Sequence, residues 1–379
     1  ALTRLDSDLA IADSYLDRHQ ESIDSLKQLH NGADVEQWFD TAMLIADKYT
    51  AFNTDSALHY YDRAYSRATE LGMSTAAMSF KLKRATYLPL IGFTTEALSD
   101  YRSIDPDSVP AELLELYYES GRQMYSYIAS FYPNYPEIYH EWNNLAMESQ
   151  TKLIRLLDIA SPRYKLNQGE YYYCKGEHSK AKVILEELLD NIPAGSNMYA
   201  RATHFLANIA KARNEHNGYV YYLALSAIAD IKSSTLEVMS LQELGAEMYE
   251  YNNIDRAHTY LSRALANSVR CHAMMRMIQS SEALPIIEAA HITEIDEWRS
   301  RMYGVIIIMA MLLAGVIAVL ILLRREMKRM AILQQRLEKA NHAKEVYISQ
   351  FLNLCSIYMD KLNQFCKVAN RKISTGKVD

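Results

Sequence analysis

The chain has 379 residues and a formal net charge of −6, with 12 Gly and 8 Pro set against 28 Tyr and 17 Met. So few backbone breakers exclude a β-rich or collagen-like chain and predict an almost wholly helical one. The four cysteines, Cys174, Cys271, Cys355 and Cys366, show no CxxC spacing. Some 300 residues precede the first membrane-like segment, enough for a large core or a repeat array.

Residues 5–50 are predicted to form one helical pair. Beyond them a pattern repeats. Residues 241–265 put Leu244-Gly245 on a first helix, Asn252-Asn253 at a turn, and Ala257, Leu261 and Ala264 on a second helix. The small residues let two helices approach and the large ones fill the space between. The same spacing recurs at Ala57/Tyr61/Ala64, Ala97/Tyr101/Ile104, Ala181/Leu185/Leu188 and, more weakly, Tyr219/Leu223/Ser226. The steps between these anchors are 40, 84, 38 and 38 residues. The double step requires a degenerate copy near Tyr139, where Pro133 to Pro136 separates helix-like stretches 111–131 and 135–159. The pattern resembles the tetratricopeptide repeat (TPR), with longer helices or loops than usual, and predicts an all-α, TPR-like helical solenoid over residues 1–286.

A helix pair cannot bury its apolar face alone, so most of these Tyr, Leu and Ala residues are read as packing between neighbours. A groove lined by the first helices is the expected ligand surface. Its candidate residues are Tyr173, Arg201, His204, Asn208, Lys211, Gln242 and Tyr249. Polar and aromatic side chains of this kind hydrogen-bond and stack on a peptide or a small glycan, although a solvated helix face has the same composition. The aromatic run Tyr117, Tyr118, Tyr125, Tyr127, Phe131, Tyr132, Tyr135, Tyr139 and Trp142 is a second candidate surface, with core packing of the degenerate repeat the favoured reading. In Cys271-His272-Ala273-Met274-Met275-Arg276-Met277 the soft ligands would spread around a helix, so a Met-rich packing edge is expected and no metal site. Cys174 and Cys271 are far apart in sequence, and no disulfide is indicated. Pro285 is expected to interrupt, with 287–303 a helical connector.

Gly304 to Leu323 contains no charge and no Pro. Twenty residues at ~1.5 Å each reach ~30 Å, the hydrocarbon thickness of a bilayer. Arg324, Arg325, Lys328 and Arg329 follow directly, whereas Arg299 and Arg301 before it are offset by Glu294, Asp296 and Glu297. This asymmetry predicts a single transmembrane helix with residues 1–303 outside and 324–379 in the cytoplasm. The tail carries twelve Lys/Arg against five Asp/Glu. An exported domain of this size implies a leader ahead of Ala1.

The tail lacks Pro and Gly from Arg324 to about Val368. Met327, Met330, Leu333, Leu337 and Ala340, then Tyr347, Phe351, Leu354, Tyr358 and Phe365, mark one stripe; Ile348, Leu352, Cys355, Met359 and Leu362 mark a second. These predict a parallel cytoplasmic coiled coil that shifts register near Lys344, and a homodimer. An alternative reading of the basic start is a contact with anionic lipid. Tyr347-Ile348-Ser349 resembles the start of a histidine-kinase phosphoacceptor helix, but Asn353 then stands at the acceptor position, no Pro follows, and His342 is misplaced. No nucleophile elbow, P-loop, GxGxxG or HExxH is present in the sequence, so no enzyme and no cofactor are expected. The basic tail shows no helix-turn-helix.

The order of array, span and coiled coil, with the run from Ala340 to Leu362, resembles the membrane-spanning TPR regulators of Bacteroidetes, including DUF6377-type proteins. That resemblance implies a sensor of nutrient or carbohydrate availability in the inner (cytoplasmic) membrane, with a periplasmic N-terminal domain. It also implies control of transcription through a DNA-binding module beyond residue 379, so DNA is a partner only through that module. Two other readings are a membrane-anchored scaffold for a periplasmic complex and the remnant of a sensor kinase.

Overall fold

A computed structural model describes residues 1–236, 239–272 and 274–374, apart from the side chains at several positions between 275 and 294. Among the described residues there is no strand. Two compact units emerge, Ala1–Glu294 and Ile295–Asp379.

The first unit begins with α1 (Leu2–Ala10), α2 (Ala12–Asn31), α3 (Val35–Tyr49), α4 (Thr54–Glu70) and α5 (Ser74–Tyr87). A 3-10 turn at Leu88–Ile91 leads to α6 (Thr94–Arg102), α7 (Leu114–Ser130) and α8 (Pro136–Leu156). There follow α9 (Pro162–Cys174), α10 (His178–Leu189), α11 (Asn197–Ala212), α12 (His216–Lys232), α13 (Met239–Glu250) and α14 (Ile254–Cys271). Successive helices pair as α3/α4, α5/α6, α7/α8, α9/α10, α11/α12 and α13/α14.

Local chemistry sets these boundaries. Side chains of Asp34, Asn53, Ser161, Ser196 and Asn253 accept a hydrogen bond from the backbone N–H three residues on and start α3, α4, α9, α11 and α14. Each such cap is worth ~1 kcal/mol. The turns inside four pairs close on a left-handed residue: Gly92, Gly176, Asn214 and Asn252, with φ of 92°, 76°, 58° and 57°. Gly and Asn adopt this region most readily, and it lets the next N–H reach back to the end of the first helix. Glu177 N, Glu215 N and Asn253 N each donate back at 2.9 Å, to Tyr172 O, Ala210 O and Met248 O. Each left-handed residue lies five positions before the anchor of its second helix.

The anchors are core. Ala57, Tyr61, Ala64, Ala97, Ala181, Leu185, Leu188, Leu223, Ala257 and Leu261 are all fully covered. Two first helices approach their partners at a glycine. A Cβ on Gly169 would lie 2.6 Å from Leu185, and one on Gly245 2.7 Å from Leu261, closer than packed carbon atoms tolerate.

Three expectations are revised. In the degenerate repeat the anchors are Ala146, Gln150 and Leu153, all buried, and Tyr139 is 37% exposed. Helix α8 starts two turns ahead of its packed segment, which displaces the pattern. Residues 5–50 are more than a simple pair: α2 packs on α3 through Leu16 and Ile23 and α3 pairs forward with α4, while α1 and the first residues of α2 fold back on the other end of the array. Leu5 and Ala12 share a core with Tyr219, Leu223, Tyr260 and Leu261. Asp6 accepts from Arg256 Nη2 at 2.8 Å and from Tyr260 Oη at 2.5 Å, and Leu236 N donates to Ala51 O at 2.7 Å. The array thus closes head to tail. Finally, Pro285 lies inside helix α15 (Met274–Ser374) rather than interrupting it. Proline removes one helical hydrogen bond and crowds the preceding turn, and here the helix continues past it.

Of the aromatic run, Tyr117 and Tyr125 are core, with Tyr101 stacked on Tyr117 at 4.7 Å and Trp142 on Tyr125 at 5.9 Å. Tyr135 is exposed. Cys174 is exposed, and Cys271 is buried 3.7 Å from the Thr54 hydroxyl. The Met-rich stretch after Cys271 lies partly outside the described residues.

The second unit contains only the distal part of α15. Its most apolar stretch has a mean hydropathy of 3.3 and none of it is buried. It is the one helix among the described residues that is long and apolar enough to cross a membrane.

Candidate functional site

The first helices α7, α9, α11 and α13 are tied side by side by their side chains and form a wall of the array. At its centre Glu170 on α9 is almost completely buried, with 3% of its side chain exposed. A lone carboxylate at such a depth is very costly, so it must be paired. Arg201 Nη2 donates to its Oε1 at 2.7 Å, Arg122 Nη1 approaches Oε2 at 3.5 Å, and Gln150 Nε2 donates to Oε2 at 3.3 Å. Gln150 stands at the large packing position of its repeat, and its amide reaches Asn167 O at 3.1 Å as well. The degenerate repeat is therefore degenerate where it solvates a buried charge.

Arg122 continues the chain to Glu119, with Nη2 to Oε1 at 2.6 Å, and Gln123 donates to the same oxygen at 2.6 Å. Burial alone would raise the Glu119 carboxyl, but the charges of Arg122 and Arg201 outweigh it and hold it down to about 2. Despite its burial, Arg122 is held firmly protonated by the carboxylates of Glu119 and Glu170. Arg163 reaches Glu115 at 3.0 Å and adds an exposed link between α7 and α9.

The residues expected from sequence sort as follows. Arg201, His204, Asn208 and Lys211 share one face of α11, at spacings of three and four. Arg201 joins the buried network. His204 Nδ1 meets Ser240 Oγ on α13 at 3.2 Å, and Ser240 in turn meets Ser226 at 2.6 Å. Lys211 donates to Tyr219 Oη at 3.3 Å, and Tyr219 donates to Glu243 at 3.3 Å. Burial and the charges of Glu243 and Glu247 raise the Tyr219 phenol. Asn208 is half-buried between them on the same face. Tyr173 is half-buried, stacked on His178 at 5.5 Å and edge-on to Phe205 at 5.3 Å. Gln242 on α13 has a buried Oε1 without a hydrogen-bond partner. Tyr249 on α13 is half-buried at the edge of one core cluster, as Tyr173 is at another.

Sequence reasoning missed Glu119, Arg122, Gln150 and Glu170. One signal was available: a glutamine where the repeat calls for a large apolar residue. The wall as assembled presents hydroxyl, amide, imidazole, ammonium and carboxylate groups beside half-buried aromatic rings. It can recognise a neutral polar ligand by donors and acceptors together. Among the described residues there is no cluster of three or more His, Cys, Asp or Glu suited to a metal ion.

Residues 9–282 match the model of the SusR N-terminal TPR domain. The chain belongs to that family. A comparison with curated proteins finds no match.

Proposed function

We propose that this protein is a membrane-anchored regulator of carbohydrate utilisation, in which the TPR array takes a short glycan on the α9–α11–α13 wall. The observation that carries the reading is the occurrence, in one chain, of a SusR-type TPR array and an apolar helix segment with no protein cover. Leaving such side chains in water costs ~1.5–3 kcal/mol each, so lipid is their natural surrounding. The basic cluster Arg324, Arg325, Lys328 and Arg329 supports a reading with the tail in the cytoplasm and the array in the periplasm of an inner membrane. The chain has the plan of the DUF6377-type membrane regulators of Bacteroidetes, and its output passes to a DNA-binding module.

In this reading the exposed tail stripes pair in a homodimeric coiled coil. Ligand binding favours one of the two registers, which requires tighter binding to that arrangement than to the other. The protein acts by binding and not by catalysis.

The test is a glycan array probed with the purified full chain in detergent. Short neutral glycans should be retained, and Asn208→Ala with Lys211→Ala should weaken retention at least about tenfold, the loss of one or two polar contacts, without changing the melting temperature. Retention of peptides and of no glycan would replace this reading with the scaffold. Cysteine cross-linking from 330 to 355 tests the switch: one pattern with and without the retained glycan would remove it.

A further inference from the structure

Away from the wall, a cavity of about 460 Å3 opens between α4, α5, the Leu88–Ile91 turn and the start of α6. Leu58, Leu88, Ile91 and Phe93 supply its apolar surface; Asp55, Asp62 and Glu96 supply carboxylates. Arg84 also lines it, but its guanidinium is already engaged. It donates to Asp62 at 2.6 Å and, through two nitrogens, to Asp100 at 2.8 and 2.9 Å. His59 is the other polar lining group.

The lining therefore offers more acceptors than donors: Asp62 is shared with Arg84 and Asp55 with His272, and among the described residues Glu96 is the lining carboxylate that makes no ion pair. A saccharide hydroxyl both donates and accepts, and here its oxygens would find little to bind. A lysine side chain only donates, carries the complementary charge, and has an aliphatic stem that apolar walls cover. We propose that this cavity is a docking site for a lysine side chain of a polypeptide partner, separate from the glycan wall.

One lining residue connects the site to the rest of the chain. Asp55 holds His272 Nδ1 at 2.6 Å. His272 is the left-handed residue, φ 60°, that ends α14 just ahead of α15. A non-glycine residue is uncommon in that conformation and persists where its surroundings hold it. An ammonium that draws Asp55 away loosens that hold, so occupancy of the cavity is felt at the turn between the last repeat helix and α15.

The experiment is isothermal titration of the full chain in detergent with acetyl-Ala-Lys-Ala-amide, and with the norleucine peptide, which keeps the stem and lacks the charge. The lysine peptide should bind one site, and the norleucine peptide about threefold or more weakly, the scale of a partly exposed ion pair. Glu96→Gln should weaken the lysine peptide about threefold or more, with the circular dichroism spectrum unchanged, whereas Lys211→Ala in the wall should leave it as it is. Equal binding of the two peptides, no heat from the lysine peptide at millimolar concentration, or an unaffected Glu96→Gln would each overturn the proposal. Displacement of the lysine peptide by maltotriose would overturn it as well and assign the cavity to sugar.

Discussion

In residues 1–272 a core of large apolar side chains is covered by neighbouring helices; in the distal part of α15 they have no cover. Tyr61, Tyr260, Phe80 and Leu185 are less than 2% exposed, whereas Tyr347, Phe351 and Phe365 stand 74%, 67% and 78% exposed. The first region is stabilised by its own tertiary packing. The second is a helix of the same backbone geometry whose apolar surface awaits something outside the chain. Such a contrast within one chain teaches that the array and the tail answer to different perturbations: the array to loss of packing or pairing, the tail to loss of lipid or of a second copy.

Changes inside the array should have the largest effect. Glu170→Ala leaves Arg122 buried with a weakened partner set and should cost ~3–5 kcal/mol in urea unfolding, against less for the half-exposed partner in Arg201→Ala. A neutral outcome for Glu170→Ala would mean that Glu119 alone satisfies Arg122. Leu261→Ala opens a cavity beside Gly245 and should cost ~2–5 kcal/mol. Leu313→Arg, in the exposed apolar run, should leave the melting of the array unchanged. It should lower membrane recovery in a flotation assay, on the scale of ~2.5–3.5 kcal/mol for a charge at mid-bilayer.

Acid sharpens the same contrast. The Glu119 carboxyl is depressed from its ordinary 4.5 to about 2 in the folded array. A depressed carboxylate stabilises the fold fully above its unfolded value and loses that contribution as pH falls through the folded one. Stability should therefore decline from about pH 4.5 towards 2, and Glu119→Gln should flatten that slope. The smallest effect is expected at the seam. Arg263 pairs with an Asp13 side chain that is 77% exposed, and Arg263→Ala should cost less than ~1 kcal/mol, less again in high salt.

The repeat was legible because its signals are local. Ala257, Leu261 and Ala264 fall on one helix face by spacing alone, and the Asn252-Asn253 turn announces itself by residue type. The alignment of Arg201, His204, Asn208 and Lys211 on one face of α11 was equally readable. Their partners were not. Arg122 and Glu170 lie 48 residues apart, and Asp6 and Arg256 lie 250 apart.

The sequence by itself therefore determined that the chain is helical, that its helices pair in a repeating register, and that Gly304 to Leu323 is apolar on every face. Periodicity, side-chain volume and turn chemistry act within a few residues, and no partner is needed to read them. The tertiary structure alone decided that α1 and α2 close on α12 and α14, that Gln150 fills an apolar position to serve Glu170, and that Asp55 reaches His272. These depend on small rotations summed over six helix pairs, which bring distant residues together only when the whole array is assembled.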